Sequence, residues 1–234
     1  MKNKGLFITF EGGEGSGKTT QIEMLAKMFI GQGKDVLLTR EPGGSPGAEE
    51  IRKLLVTGDP ERWNRMEEIF LFLVARSNHL SQVILPAIQQ GKVVICDRFH
   101  DSTIAYQGFG YGNNQAIQDQ ISQLYTMIAG NFKPDLTILL DIPVDVGLKR
   151  SKRPENKEQR FESKKLAFHE NLRQGYLTLA KAEPNRFLVV NANQPKEAVF
   201  QGIVNGMAER QFFLKVQKAG VEEESLWIPP SYSR

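Results

Sequence analysis

The chain has 234 residues, 40% hydrophobic and 24% charged, an ordinary composition with apolar material for one sizeable core. A net charge of +3 is too small to argue for a nucleic-acid or anionic-membrane partner, and the single cysteine, Cys96, excludes an internal disulfide framework. His79, His100 and His169 keep no metal-ligand spacing, and the longest apolar run, 69–75, is far below the ~20 residues of a membrane span, so a soluble cytoplasmic protein is expected.

The first apolar run, 6–10, reads as a strand that stops at Glu11. Directly after it, Gly12-Gly13-Glu14-Gly15-Ser16-Gly17-Lys18-Thr19 fits G-x-x-x-x-G-K-[ST], and a helix over 19–30 follows, closed by Gly31 and Gly33. Strand, loop and helix in that order make a phosphate-binding loop. Its glycines let successive backbone N–H groups turn inward onto phosphate oxygens, and the helix adds the positive end of its dipole. Lys18 is placed for the β- and γ-phosphates and the Thr19 hydroxyl for Mg²⁺, with Thr20 at the start of the helix. A dinucleotide-binding turn is disfavoured, because Lys18 or Thr19 stands where a third glycine is required.

A second apolar run, 36–39, leads to Arg40-Glu41, and Ser45-Pro46 opens a helix with Ser45 as its N-cap. A long helix is expected over 66–90, kinked at Pro86. Its run 69–75 is apolar on every helical face, which points to a subunit interface. Phe72 and Arg76 share a face of it, four residues apart, although Phe72 serves equally well as core. Further strands are expected at 93–96, 136–140 and 187–190, with helices near 115–128, 144–152, 162–182 and 195–218. All five strands are near-continuously apolar, as in a parallel sheet covered on both faces. The fold expected is α/β: a doubly wound five-stranded parallel sheet with helices on both faces, of the phosphate-loop NTPase type, with right-handed crossovers. The unit spans 1–219, with a mobile basic lid at about 149–162, and 220–234 forms an irregular extension.

Asp97-Arg98 ends the third strand, at the sheet edge where ligands bind. The acid suits the Mg²⁺ shell and the arginine a second phosphate group. Another nucleotide or nucleoside kinase is the runner-up on these features, and a nucleotide-switched binding protein is the alternative of a different class, although the absence of an Asn-Lys-x-Asp motif lowers the GTPase reading.

The stretches ITFEGGEGSGKTTQ, LLTREPGG, FLFLVARSNHL, VVICDRFHDSTIAYQG, KPDLTILLD and VNANQPKEAV together resemble bacterial thymidylate kinases over about 6–210. The resemblance implies a homodimer that uses ATP and Mg²⁺ to phosphorylate thymidine 5′-monophosphate in dTTP synthesis. It implies that Glu41 meets the deoxyribose 3′-hydroxyl and that Arg40, Arg52 and Arg98 lie near the monophosphate. Phe72 would stack on thymine, Arg76 would bond its O4, Thr103 and Gln107 would face the base, and Tyr106 would close the sugar side. Glu14 would lie near the metal and acceptor, and Arg150 with the 191–194 loop would form the adenine pocket. Neither Glu14 nor Gly15 is basic, so a lid arginine must supply the late-arriving cation. Arg153, which precedes Pro154, is the first choice, Arg160 the second, and Gln159 stands where the family usually has an aspartate.

Overall fold

A computed structural model describes residues 5–59, 61–151, 160–161 and 164–213. Arg153, Gln159, the body of the expected lid, the helix end at 214–218 and the extension at 220–234 lie outside the described residues.

Five strands form one parallel sheet: β1 (Leu6–Glu11), β2 (Val36–Arg40), β3 (Val93–Asp97), β4 (Leu136–Asp141) and β5 (Phe187–Asn191). Their order is β2-β3-β1-β4-β5, with Ile8 opposite Ile95 on one side and Leu136 on the other. Successive side chains of a strand point to opposite faces, and both faces here are covered. Ile8, Phe10 and Ile95 pack with Leu25 and Phe29 of α1 (Lys18–Gly31) and Ile203 of the last described helix. Phe7, Val94 and Cys96 turn to the other face, against Ile69, Leu73 and Ile121. The apolar pattern does not mark every strand as central, however. β2 and β5 are edges, and Leu38 and Val189 are exposed there.

Helix α2 (Pro46–Val56) begins after Ser45, as its sequence requires, but the Ser45 hydroxyl donates to Asn78 Oδ1 at 2.7 Å rather than capping. Helix α3 (Arg65–Gln89) starts with a reciprocal capping box between Asn64 and Glu67. One turn before Pro86 the chain forms a π-helical turn at Leu80–Ile84. A proline offers no N–H and crowds the carbonyl four residues back, and the wider turn relieves both.

By length and hydropathy alone α3 is able to cross a membrane, which the count of consecutive apolar residues did not register. Its inward face packs on the sheet and carries buried Glu68, Arg76 and His79, as a core helix with polar duties does.

After β3 the chain forms the short helix α4 (His100–Thr103), continued as a π-helical turn, Ile104–Gly110, that the sequence reading did not anticipate. Helices α5 (Gln115–Ala129), α6 (Val144–Ser151), α7 (Leu166–Ala182) and α8 (Lys196–Glu209) complete the two layers.

Candidate active site

The site lies along the carboxyl edge of the sheet, where β1 hands over to the phosphate loop. Gly15 (φ 66°) and Gly17 (φ 87°) adopt left-handed backbone that side chains disfavour. A Cβ on Gly15 would also strike the Gly147 carbonyl of α6. The loop therefore curls tightly against α6 and opens onto the amino end of α1. Lys18 Nζ reaches the carbonyls of Gly12 and Gly13 at 3.4 Å each, long bonds that an arriving phosphate can replace. Burial, then the positive charge of Arg98, lowers the Lys18 pKa.

A cleft of about 410 Å³ is lined by the loop from Glu14 to Thr20 together with Asp97, Arg98 and Arg150. Arg150 donates to the Ala192 carbonyl at 3.1 Å and to Asn193 Oδ1 at 3.4 Å, so α6 and the 191–194 loop meet as expected. Asp97 Oδ1 is buried without a hydrogen-bond partner among the described residues. An orphaned carboxylate oxygen in the cleft that holds Thr19 fits a Mg²⁺ shell. No cluster of three or more His, Cys, Asp or Glu able to cage a metal exists among the described residues. An ion that binds chiefly through substrate phosphates and water needs none.

A second cleft, of about 220 Å³, adjoins the first. Glu41 enters it just after β2, Arg52 from α2, Phe72 and Arg76 from α3, and Arg98, Thr103, Tyr106 and Gln107 from the stretch that runs from the end of β3 through α4 into the π-helical turn. The structure thus brings together eight of the nine residues expected around the acceptor. Arg40 is the exception. It points outward and donates to Glu49 Oε2 at 3.0 Å, because Glu49 is held in place by the Gly44 N–H in the turn below it.

Buried Arg76 donates from Nε to Glu41 Oε2 at 2.7 Å and from Nη2 to Thr103 Oγ1 and the Phe99 carbonyl. Glu41 Oε1 lies 3.0 Å from His79 Nδ1, and His79 Nε2 lies 2.7 Å from Thr39 Oγ1. That chain of bonds fixes Glu41 from behind. Among the described residues, Arg76 Nη1 and Gln107 Oε1, both buried, have no hydrogen-bond partner.

Arg98 and Glu14 line both clefts. Arg98 has φ 67°, uncommon for a residue with a side chain, and its conformation is held on several sides. Its guanidinium donates to the Gly12 carbonyl at 2.9 Å, the Tyr176 hydroxyl at 3.1 Å and Glu14 Oε1 at 3.2 Å. The next residue, Phe99, donates its N–H to Glu11 Oε1 at 2.8 Å. Burial pulls the Glu14 carboxyl upward, but Arg98, Lys18 and the Tyr106 hydroxyl outweigh it and hold the group below its ordinary value.

Several residues of this constellation escaped the sequence reading. Glu11 accepts from Ser102 at 2.6 Å and Tyr176 at 3.0 Å behind Arg98, and the only hint was an acid at the end of an apolar strand. Phe161 lines the second cleft near Phe72 and Tyr106. Arg160, second choice for the late cation, is buried and paired with Glu68 at 2.7 Å. Its guanidinium also donates to the Leu55 and Asp59 carbonyls.

A five-stranded parallel sheet, a phosphate loop after β1 and two adjoining clefts with a shared arginine define a nucleotide-binding α/β protein of the phosphate-loop kinase type. The family model for thymidylate kinase matches residues 10–203. The thymidylate kinase of Caulobacter vibrioides is 48% identical over 207 residues, 88% of this chain and 98% of its own. That of Magnetococcus marinus is 49% identical over 196 residues, covering 84% and 92%. A crystal structure of thymidylate kinase from Ehrlichia chaffeensis superposes with a TM-score of 0.68 at 32% identity, covering 86% of this chain and 97% of that one. The chain belongs to the thymidylate kinase family.

Proposed function

We propose that the protein transfers the γ-phosphoryl group of ATP to the 5′-phosphate of thymidine monophosphate, releasing ADP and thymidine diphosphate. The observation that carries this choice of acceptor is the pair of unsatisfied polar atoms in the smaller cleft. Arg76 Nη1 is a donor and Gln107 Oε1 an acceptor. Thymine offers the complement on one edge, an O4 acceptor beside an N3–H donor. Buried groups left unpaired cost about 1–3 kcal/mol each, so a base that satisfies both is strongly preferred. Phe72 supplies a face for stacking, and Glu41, braced by His79, suits the 3′-hydroxyl.

In this reading Arg52 and Arg98 hold the acceptor phosphate, and Lys18 with the loop N–H groups holds the ATP phosphates. Mg²⁺, held through Thr19 and Asp97, would neutralise charge on the transferring group. A phosphate monoester has a second pKa near ~6, so the attacking oxygen is already anionic at neutral pH and no general base is required. Positioning and charge neutralisation then carry the catalysis. Arg98, on the wall between the clefts, stands where the charge moves. The active unit is read as a cytoplasmic homodimer.

An ADP-release assay with a panel of monophosphates tests the reading. Turnover with thymidine monophosphate at a kcat/KM at least ~10²-fold above cytidine and guanosine monophosphates is expected, with almost none when the acceptor is omitted. Equal use of guanosine monophosphate would contradict it, and rapid acceptor-independent hydrolysis would point to a switch.

A further inference from the structure

Glu68 sits on α3 with no exposed surface and does not line the acceptor cleft. Its two carboxylate oxygens face different partners. Oε1 pairs with the buried guanidinium of Arg160 at 2.7 Å, and Oε2 accepts from Gln107 Nε2 at 3.0 Å. The Tyr111 hydroxyl donates to both, at 3.2 and 3.3 Å. An ion-paired carboxylate only accepts hydrogen bonds, so the side of the Gln107 amide facing it must be the NH₂ group. The carbonyl is thereby turned the other way, and Gln107 Oε1 is the buried atom left without a partner.

The geometry points to Glu68 as the residue that sets base specificity, by fixing the Gln107 amide with its oxygen toward the base. This rests on the reading of the smaller cleft as the thymidine monophosphate site. An amide has nearly the same shape in both orientations, and in the cleft alone nothing about that shape favours the oxygen. With the oxygen presented, Gln107 accepts from the N3–H of thymine or uracil. With the nitrogen presented, it would instead donate to the N3 lone pair of cytosine. The share of the discrimination between imide bases and cytosine that Gln107 adds to the Arg76 donor thus depends on a carboxylate that never touches the nucleotide. Arg160, which can only donate, secures the carboxylate in turn.

The decisive variant is Glu68→Gln. Arg160 still requires an acceptor, so the carbonyl oxygen of the introduced amide takes the Oε1 position and its NH₂ group takes the position facing Gln107. Gln107 must then turn its own oxygen toward residue 68 and its nitrogen toward the base. The ratio of kcat/KM for thymidine over deoxycytidine monophosphate is the right readout, because it does not depend on the fraction of active protein. We expect this ratio to fall at least ~10-fold in Glu68→Gln. The ratio of thymidine over deoxyuridine monophosphate should stay within about twofold, since both bases carry the N3–H. Tyr111→Phe, which loosens Glu68 without reversing any donor, should leave both ratios unchanged. If Glu68→Gln fails to fold with Arg160 buried beside a neutral group, Glu68→Gln combined with Arg160→Met removes that charge. The introduced amide is then free in both orientations, and the cytosine discrimination should still weaken. An unchanged thymidine-to-deoxycytidine ratio in the folded variant overturns the assignment to Glu68. A wild-type protein that does not separate the two nucleotides overturns the acceptor reading itself.

Discussion

The guanidinium of Arg98 and the carboxylate of Glu14 meet at 3.2 Å on the wall shared by the two clefts. This contact joins the phosphate loop to the end of β3 at the place where a phosphoryl group would cross. Truncation of the arginine should therefore damage the chemistry more than the affinity for either nucleotide. Arg98→Ala is expected to lower kcat at least ~10²-fold, with the acceptor KM changed far less. Steady-state kinetics with each substrate varied in turn checks this, and a rise in KM at constant kcat would reduce Arg98 to a binding group.

Arg153 and Arg160 should behave differently from each other. Arg153 is the first choice for the late-arriving lid cation, a role that contributes about 10³–10⁵ in rate in related phosphoryl-transfer enzymes, and on that expectation Arg153→Ala should cut kcat at least ~10²-fold. Arg160 shares a buried ion pair with Glu68, and Arg160→Ala should cost about 3–5 kcal/mol of stability by leaving that carboxylate unpaired. Kinetics and thermal melts of the two variants side by side separate the roles. Full activity in Arg153→Ala would remove the late-cation role from that residue.

Glu11 gives the fold a dependence on pH. Burial first, and the nearby Asp101 carboxylate second, push its carboxyl up from 4.5 to about 7, against the pull of Arg98, Ser102 and the Phe99 N–H. Between those values the folded protein holds a proton that the unfolded chain has released. Stability from this group therefore falls as pH rises through that window and levels off above it. Glu11→Gln cannot titrate. Melting temperatures from pH 5 to 8 should fall by a few degrees more in the wild type than in the variant, and parallel curves would contradict this.

Helix α3 presents three surfaces within one apolar run. Ile69 and Leu73 are core, Phe72 lines the smaller cleft, and Phe70 and Val74, one turn apart, are exposed. Exposed aromatic and branched side chains on one helical face suit a second copy of the chain. Light scattering at micromolar concentration should report a dimer, and Phe70→Glu with Val74→Glu should shift it toward monomer. A monomeric wild type would exclude this face as a stable interface.

The sheet was legible because strands covered on both faces are almost uninterrupted apolar runs. Each strand is nevertheless one residue longer than its run, ending in Glu11, Arg40, Asp97, Asp141 or Asn191. Those polar ends broke the pattern because they face the ligand edge. The edge strands β2 and β5 carry the same near-continuous apolar pattern as the central ones, so the pattern did not tell edge from centre. Phe72, Arg76 and Gln107 were legible only through the motifs of a familiar family. Glu68 was not legible at all. It follows Glu67, which caps α3 at the surface, and the turn of about 100° per residue that sends one glutamate into solvent sends the other into the core. The π-helical turns at Leu80–Ile84 and Ile104–Gly110 left no compositional mark beyond Pro86.

Transfer is distinguished from hydrolysis by following the phosphoryl group itself. The full chain is incubated with Mg²⁺, thymidine monophosphate and ATP labelled in the γ-phosphate, and the products are separated. The label is expected to leave ATP only when the acceptor is present and to appear in thymidine diphosphate. Label released chiefly as inorganic phosphate, or lost from ATP at the same rate without the acceptor, would contradict this.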